Sequence, residues 1–371
     1  MNTEKIRVGI IGANPDRSWA ARAHVPALRA LPDYEITAVA TTRTESARAA
    51  AREFGAAHAF TDAGELARHP DVDLVAVTVK VPAHAGPVRA ALAAGKHVYC
   101  EWPLARTTAE AGELAAEAAA AGVHHVVGLQ ARYSPELRHA RQLLAEGRIG
   151  RVVSATVHAT RGKGAGNRVP AWGAYTLDRD NGAGTLEVAG GHTLDALRHL
   201  LGDLDTLSAA LSVRRPEAVV AETGARITAT SPDHLLLHAT LAGGAPLSLH
   251  LHDGKQSNAG TRIEISGTEG DLALVSTGPH GPAGLQIGGL RLWTARAGER
   301  TWQEITAPGR DGAPGLTFQD EGDNVARQYA RLAADLRSGA RETPDFDAGL
   351  RLHRLLDAVR RSAETGTRVS L

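Results

Sequence analysis

The stretch "HVYCEWPLA" (97–105) places Trp102 between a glutamate and a proline, directly after an apolar run. An indole offers one N–H donor and a large apolar surface, and it carries no group that titrates near pH 7. Trp102 can therefore stack or donate one hydrogen bond, but it cannot act as a general acid or base. A core tryptophan at the end of a strand is the simplest interpretation.

A second candidate lies where the first apolar run ends, in "GIIGANPDRSWAARAH" (9–24). A dinucleotide-binding turn has the pattern Gly-x-Gly-x-x-Gly, and its three positions are here Gly12, Asn14 and Arg17. Asparagine tolerates a left-handed backbone, so we expect Asn14 to replace the second glycine. An ordinary βα loop is the alternative.

The second apolar run ends in Thr41, Thr42 and Arg43. A cofactor with a free ribose 2′-hydroxyl usually meets an Asp or Glu here, about 20 residues past the glycine turn. Hydroxyls and a guanidinium suit a 2′-phosphate instead, through charge-assisted hydrogen bonds. The residues favour NADP(H) over NAD(H), although a solvated surface arginine is also common.

The elements that must position these residues alternate over the first 130 residues. Apolar runs such as "DLVAVTV" (73–79) are separated by Ala-rich helical stretches, including "TESARAAAREFG" (44–55) and "TTAEAGELAAEAAAAG" (107–122). Gly55 and Gly122 stand where a helix C-terminus favours a left-handed residue. This alternation predicts a doubly wound parallel sheet, an α/β Rossmann domain over residues 1–130.

After residue 130 the pattern changes. A helix (134–146), an irregular stretch (161–184) and a second helix lead into apolar strands that follow one another from about 205 to 306. Strands without intervening helices predict an antiparallel or mixed sheet. We expect a C-terminal α/β domain over residues 131–371, with a large open sheet, a surface loop at 306–317 and two closing helices.

Composition narrows the class of protein. Lys and Arg together number 41, as do Asp and Glu, so the 371-residue chain has no basic excess that would attract nucleic acid or an anionic membrane. The single cysteine, Cys100, excludes an internal disulfide and fits a reducing compartment. No stretch approaches the length of a membrane span and no export signal opens the chain, which predicts a cytoplasmic protein.

Several segments together resemble the glucose–fructose oxidoreductase/inositol dehydrogenase (Gfo/Idh/MocA) family. They are "VPAHAGPV" (81–88), "EWP" (101–103), "GLQARYSP" (128–135) and the closing "FDAGLRLHRLLDAVRRSAETGTRVSL" (346–371). A narrower resemblance is to the family's non-catalytic branch, the galactose-regulon repressor of yeasts. It rests on "RSWAARAHVPAL" (17–28), "EWPLA" (101–105), "GHTLD" (191–195), "PDHLL" (232–236) and "GTEGDL" (267–272).

The resemblance implies roles for particular residues. Trp102 stands where the family's dehydrogenases carry a lysine that is a candidate proton carrier, and we interpret it as a wall of the nicotinamide pocket, in contact with cofactor and substrate. His192 and Asp195 fit the family's site spacing, but the preceding Asp position is Val188, with Glu187 one residue away. We expect a pKa near the working pH for His192. The expected cofactor-binding residues are Gly12, Asn14, Arg17, Trp19, Thr41, Thr42, Arg43, Val79, Lys80, His84, Glu101, Trp102 and Gln130.

Other candidates rest on position. Tyr175 and Lys163 lie in the irregular segment, where a substrate loop with catalytic groups would sit. Arg132 could bind a substrate together with Asp195, or form a structural ion pair. His250 and His252 lie on one strand face, but with no third ligand nearby we expect no metal.

Two functions remain open. The first is an NADP(H)-dependent oxidoreductase acting on a sugar-like or other small hydroxylated or carbonyl substrate, with His192, a tyrosine or a water relay carrying the proton. The second is a dinucleotide-binding regulator without catalysis, which the missing lysine favours. A DNA-binding repressor is a weaker third, because no basic recognition helix stands out. We also expect a homodimer or homotetramer formed through the open sheet.

Overall fold

The computed structural model of the protein describes residues 4–16, 18–162, 167–257, 259–276 and 284–371. Two of the predicted site residues, Arg17 and Lys163, lie outside them. The strands, in chain order, are β1 (Ile6–Ile11), β2 (Tyr34–Ala40), β3 (His58–Phe60), β4 (Leu74–Val77), β5 (His97–Glu101), β6 (His125–Gly128), β7 (Val152–Thr160), β8 (Arg168–Val169), β9 (Leu204–Ser212), β10 (Glu217–Val220), β11 (Arg226–Thr228), β12 (His234–Leu241), β13 (Pro246–His252), β14 (Thr261–Gly267), β15 (Gly270–Ser276), β16 (Leu290–Arg296), β17 (Gln303–Ile305) and β18 (Val369–Ser370). The helices are α1 (Val25–Arg29), α2 (Thr44–Phe54), α3 (Ala63–Arg68), α4 (Ala85–Ala93), α5 (Thr108–Ala121), α6 (Pro135–Ala145), α7 (Gly191–Leu201), α8 (Asp323–Ser338) and α9 (Phe346–Thr365).

The chain packs into two units. The first combines Met1–Gln130 with Asp311–Arg351, and the second combines Ala131–Arg310 with Leu352–Leu371. Helix α8 therefore belongs to the first unit. The division of the chain into folding domains at residue 130 stays a prediction.

The first unit holds a parallel six-stranded sheet in the order β3-β2-β1-β4-β5-β6. Its strands are continuous apolar runs because helices cover both faces of such a sheet. The order reverses between β1 and β4, and in doubly wound folds the ligand crevice lies at the carboxyl ends of the strands at this switch point. The predicted Rossmann topology is confirmed.

Local sequence signals end the helices of this unit as expected. Helix α2 ends at Gly55 with φ 71°, and α5 ends at Gly122 with φ 67°. Both glycines adopt the left-handed conformation that closes a helix C-terminus at little steric cost.

Helix α8 completes the core of the first unit through an aromatic group. The ring of Tyr329 stacks on Tyr99 with centroids 4.8 Å apart, and its carbonyl accepts a hydrogen bond from the Tyr34 hydroxyl at 2.7 Å. Gln328 donates to the carbonyl of Val127 at 2.8 Å, and its Oε1 accepts from the Tyr99 hydroxyl at 3.0 Å. These bonds satisfy polar groups that are buried inside an otherwise apolar core.

The second unit is built on a nine-stranded sheet in the order β17-β16-β15-β14-β7-β13-β12-β9-β18. The β7–β13 pair is parallel, and β7 pairs with β14 in the antiparallel sense. The expected large mixed sheet is therefore confirmed. A three-stranded sheet, β11-β10-β8, lies in the same unit.

One face of the large sheet is exposed. Along β12 the side chains of Leu235 and Leu237 are buried, whereas Leu236 is 51% exposed. Val153 on β7 is 44% exposed. An exposed apolar side chain such as Leu236 favours association with a second copy, and the homodimer or homotetramer stays a prediction.

Within the described residues, none of the helices combines the length and the apolar character needed to span a bilayer.

Candidate functional site

Gly12 brings the loop after β1 against the ends of its neighbours in the first unit. Its φ is 96°, and an added Cβ would lie 2.9 Å from the backbone nitrogen of Val79 and 3.0 Å from the carbonyl carbon of Thr78. Its N–H donates to the carbonyl of Ala40 at 3.0 Å. The position therefore needs glycine both for its conformation and for the close approach of two backbones.

The expected left-handed turn at Asn14 is wrong. Among the described residues, Asn167 is the only non-glycine residue with a positive φ. The side-chain oxygen of Asn14 instead accepts the Asp16 N–H at 2.9 Å, an Asx turn that closes the loop without a left-handed backbone. Its carbonyl accepts the Ser18 hydroxyl at 2.5 Å.

Trp19 follows this loop and packs partly against the core of the first unit. The guanidinium of Arg22 lies 5.5 Å from the centre of its ring. Its buried indole Nε1 has no hydrogen-bond partner among the described residues. A buried donor without a partner is uncommon in a folded protein, and a bound acceptor would satisfy it.

The loop after β2 is organised around the carbonyl of Arg43. The hydroxyls of Thr41 and Ser46 both lie 3.0 Å from that carbonyl oxygen and 2.7 Å from each other. Thr42 and Arg43 are exposed at the N-terminus of α2. These hydrogen bonds fix the backbone of Arg43 at the carboxyl end of β2, and its side chain extends from there into solvent.

The segment after β4 contains a buried histidine, His84, and an exposed lysine, Lys80. His84 is buried, its Nε2 lies 3.0 Å from the carbonyl of Val79, and its Nδ1 lies 3.4 Å from Cys100 Sγ. Burial lowers the pKa of His84 and raises that of the Cys100 thiol, so both are neutral near pH 7. His84 fixes the loop that contains Val79, while the side chain of Lys80 is exposed.

Glu101 and Trp102, at the end of β5, are both buried, at 8% and 4% exposure. A Glu101 oxygen lies 2.9 Å from Nε2 of His24, whose Nδ1 lies 2.8 Å from the Tyr329 hydroxyl. The Trp102–Pro103 peptide bond is cis. Burial of the indole is compatible with either interpretation of Trp102, as core residue or pocket wall.

Gln130 follows β6 and is 1% exposed. Its side-chain oxygen has no hydrogen-bond partner among the described residues. Because the carboxyl ends of parallel strands meet at one edge of the sheet, Gly12, Val79, Glu101 and Gln130 share that edge. The structure thus places these four predicted cofactor residues along the carboxyl edge of the parallel sheet.

His192, in the first turn of α7 in the second unit, is 3% exposed. Its Nδ1 has no hydrogen-bond partner among the described residues. Burial, with the charge of Arg161 as a second cause, lowers its pKa to about 3. The expected pKa near the working pH is therefore wrong, because the imidazolium form would be desolvated beside another cation.

A π-helical turn, Leu186–Gly190, precedes α7 and changes the helical register before His192. Glu187 lies in this turn, and its carboxylate accepts hydrogen bonds from the Gly184 N–H at 3.0 Å and from Arg360 at 2.7 Å. Glu187 therefore connects the π-helical turn to Arg360 on α9.

An ion pair that the sequence reasoning missed lies near His192. Arg161 donates to both carboxylate oxygens of Asp253, at 2.6 and 2.9 Å, and to the Thr185 hydroxyl at 3.2 Å. Thr185 also donates a short hydrogen bond to Asp253. Arg161 and Asp253 follow the parallel strands β7 and β13, so they emerge at the same sheet edge. Nothing in the local sequence indicates this pairing.

Arg132 and Asp195 are brought together by a bidentate ion pair. Nε donates to Oδ2 at 2.9 Å and Nη2 donates to Oδ1 at 2.5 Å. Asp195 is 1% exposed, whereas a quarter of the Arg132 side chain is accessible. The structural ion pair thus accounts for both residues, and their contact with a substrate stays a prediction.

Tyr175 lies in a short 3-10 helix, Ala174–Leu177, within the irregular segment. Burial raises the pKa of its phenol, which is therefore protonated at neutral pH. Its role as a proton carrier stays a prediction, and that of Lys163 concerns a residue outside the described part of the chain.

The expectation that His250 and His252 have no third ligand nearby is wrong. His158 on β7 is the register partner of His250 on β13. The potential ligand atoms of His158, His250 and His252 all lie within 4.8 Å of one another. Pairing of strands far apart in sequence produces this group.

Two family models match the chain. Residues 6–129 match the oxidoreductase family with an NAD-binding Rossmann fold, Gfo/Idh/MocA, and residues 135–276 match the C-terminal domain of Gal80p. A relative is also similar along nearly the whole chain. The protein therefore belongs to the Gfo/Idh/MocA family and is close to its Gal80 branch.

Dehydrogenase aclE of Aspergillus oryzae is 31% identical over 380 residues, which cover 98% of each chain. The 1,5-anhydro-D-fructose reductase of Ensifer adhaerens is 33% identical over 269 residues, 72% of this chain and 74% of the relative. The crystal structure of a super-repressor mutant of Gal80p from Saccharomyces cerevisiae aligns with a TM-score of 0.87 and 25% identity, over 99% of this chain and 98% of that chain. The predicted resemblance to the family and to its galactose-regulon repressor branch is confirmed.

Proposed function

We propose that the protein is an NADP(H)-dependent oxidoreductase that interconverts a hydroxyl and a carbonyl group on a sugar-like or other small hydroxylated compound. Similarity to a dehydrogenase along nearly the whole chain, and to a reductase of an anhydrosugar, supports the reaction class. The main support for a catalytic site is that His192 is a buried imidazole whose Nδ1 lacks a hydrogen-bond partner among the described residues. A substrate hydroxyl can both donate and accept, and so would satisfy this nitrogen in either tautomer.

The residues of the first unit fit a dinucleotide. The loop at Gly12 leaves no space for a Cβ against the backbone of Thr78 and Val79, which fits the tight turn that the first glycine of a dinucleotide-binding loop provides. Within the described part of the chain, Trp19 Nε1 and Gln130 Oε1 have no hydrogen-bond partner, so the first could donate to a phosphate oxygen and the second could accept from an amide N–H. When bound, the nicotinamide cofactor supplies the hydride chemistry.

The residues of the second unit have separate tasks in this proposal. Arg161, held by Asp253 and Thr185, keeps a positive charge beside His192 and opposes its protonation. A neutral His192 orients the substrate hydroxyl by a hydrogen bond. Because a ring of such low pKa holds an added proton weakly, a water relay carries the hydroxyl proton away during oxidation, and the protonated phenol of Tyr175 would donate a proton during reduction. In the first unit, Trp102 supplies an apolar surface and no proton.

The experiment that tests the proposal has two stages. Quenching of tryptophan fluorescence measures the affinity for NADPH and NADH. The change in nicotinamide absorbance is then followed with sugars, anhydrosugars and other cyclic polyols and their ketones. Turnover of any member supports the oxidoreductase, whereas tight binding of the dinucleotide without turnover across the panel would contradict it.

Cofactor choice is tested at Arg43. We expect Arg43→Asp to weaken NADPH binding by ~1–3 kcal/mol, because a charge-assisted hydrogen bond to the 2′-phosphate is replaced by repulsion. Affinity for NADH should change little. Arg48→Asp is the matched control, because Arg48 is exposed like Arg43 but lies within α2, and the substitution changes the charge equally. Equal affinity of the unmodified protein for the two cofactors would refute the preference.

His192→Ala tests the second unit. We expect kcat/KM to fall by roughly ten- to a hundredfold, the effect of losing a buried hydrogen bond of ~1–3 kcal/mol, while NADPH affinity is retained. His199→Ala on the same helix is the control, since His199 is only half-buried. A His192→Ala variant that is folded by circular dichroism and turns over at the original rate would eliminate this role.

A regulator that binds the dinucleotide without turning it over is the second candidate. It is favoured by the absence of a titratable group at Trp102, by the lowered pKa of His192 and by the match of residues 135–276 to Gal80p. The absorbance screen separates the two functions, because only the oxidoreductase changes the redox state of the nicotinamide.

A further inference from the structure

The exposed face of the nine-stranded sheet carries a group of three imidazoles. His250 and His252 are two residues apart on β13, so their side chains share one face. His158 is the register partner of His250 on the neighbouring strand β7. One potential ligand atom from each ring lies within 4.8 Å of the others.

We propose that His158, His250 and His252 form a binding site for a divalent transition metal of the Zn²⁺ class. Three imidazoles without a carboxylate suit zinc, copper, nickel or cobalt rather than magnesium or calcium, which prefer oxygen ligands. Three protein ligands leave one position of a tetrahedral ion open for water. The site is independent of the proposed function, because it uses none of the residues assigned to the cofactor or to the substrate.

The rings have room to reach coordination distance. Zinc–nitrogen bonds of about 2.0–2.1 Å place the nitrogens of a tetrahedral site roughly 3.4 Å apart. The rings must therefore move inward, which is feasible because His158 is exposed and His250 and His252 are only partly buried. Nδ1 of His252 accepts the Gly254 N–H at 3.1 Å. If Nδ1 binds the metal, His252 loses its hydrogen bond to Gly254. If Nε2 binds the metal, that hydrogen bond is kept and Nε2 loses its proton.

A neighbouring ring supports the orientation of His252. The ring of His234 on β12 is stacked on His252, with centroids 5.0 Å apart and planes 10° from parallel. The Nδ1 of His234 lies 2.7 Å from a carboxylate oxygen of Asp233. The stacked ring, itself held by a carboxylate, restricts the rotation of His252 and lowers the entropy lost when a metal binds.

A competing group lies in the first unit, where His58, His69 and Asp71 also bring potential ligand atoms together. Two of its potential ligand groups already accept hydrogen bonds within the protein. Asp71 is paired with Arg7 at 3.1 Å, and Nδ1 of His69 accepts the Asp71 N–H at 3.2 Å. A metal ion at this group would have to compete with the Arg7 guanidinium for the Asp71 carboxylate, so this group is the weaker candidate.

Titration of the apoprotein with Co²⁺ tests the proposal, because the visible absorption of the ion reports its coordination geometry. We expect one ion per chain in the unmodified protein, with competition by Zn²⁺. His250→Gln and His158→Gln should each weaken binding by about a hundredfold or more, since even the loss of an outer-shell partner of a metal ligand costs about ten- to a hundredfold. His158 is exposed, so its replacement tests ligation without risk to folding.

Two controls locate the ion. His238→Gln changes a histidine that is exposed on β12 of the same sheet but does not belong to the group of three, and it should leave binding unchanged. His58→Gln should also leave it unchanged. Unaltered affinity in both His158→Gln and His250→Gln, or a loss confined to His58→Gln, would overturn the proposal.

Discussion

Replacing Trp102 with lysine should lower the free energy of unfolding by ~3 kcal/mol or more and should not raise turnover. The indole is 4% exposed, so the substitution removes a large buried apolar surface and leaves a cavity. It also places an ammonium at a buried position, and the burial of a charge is penalised unless the charge is paired and hydrogen-bonded. Urea denaturation measures the stability, and nicotinamide absorbance in a single turnover measures the chemistry.

Trp172→Lys is the matched control for this substitution. Trp172 is 55% exposed, so the same replacement there should change the free energy of unfolding by no more than about 0.5 kcal/mol. Raised turnover in Trp102→Lys would mean that the indole blocks hydride transfer, and the regulator would then be the better proposal. Unchanged stability would instead show that Trp102 is not packed as a core residue or pocket wall.

Gly12→Ala should abolish dinucleotide binding and cost ~2–4 kcal/mol of stability. The left-handed backbone, with φ 96°, accounts for ~1 kcal/mol. The remainder comes from a Cβ that would lie 2.9 Å from the Val79 nitrogen, where relief requires movement of two backbone segments. Fluorescence titration with NADPH and thermal unfolding provide the two measurements.

Gly55→Ala is the control for Gly12→Ala, because it introduces the backbone strain of a left-handed alanine without the steric contact of the new Cβ. Gly55 has φ 71°, but among the described residues other than its chain neighbours no atom lies within 4 Å of the position of its Cβ. This variant should therefore lose only ~1 kcal/mol and keep its affinity for the dinucleotide. Equal losses in the two variants would show that the close approach at Gly12 contributes nothing beyond its conformation.

The order of apolar runs, the helix-ending glycines and the change of pattern near residue 130 predict both sheets correctly. These features are local, and the periodicity of burial determines them. The conformation of Asn14 was not predictable in the same way, because a side-chain hydrogen bond to Asp16 replaced the expected left-handed turn. Two turn types were compatible with the same residues.

The sites that the sequence did not reveal depend on the pairing of β7 with β13. His158 meets His250, and Arg161 meets Asp253, only because these two strands are adjacent and parallel. The pKa of His192 likewise depends on its burial beside Arg161, a residue that precedes it by a whole irregular segment. Long-range register determines these contacts, and a single sequence carries no direct signal of it.

The place of α8 in the first unit has a consequence for biosynthesis. The six parallel strands leave the ribosome first, yet Tyr99, Tyr34 and the Val127 carbonyl find their buried partners on α8. Domains generally fold as units, and N-terminal ones fold first during synthesis. Here the buried groups that α8 covers stay exposed until residues 323–338 have been translated. Exposed apolar surface of this kind is what makes a partly folded chain prone to aggregation during synthesis.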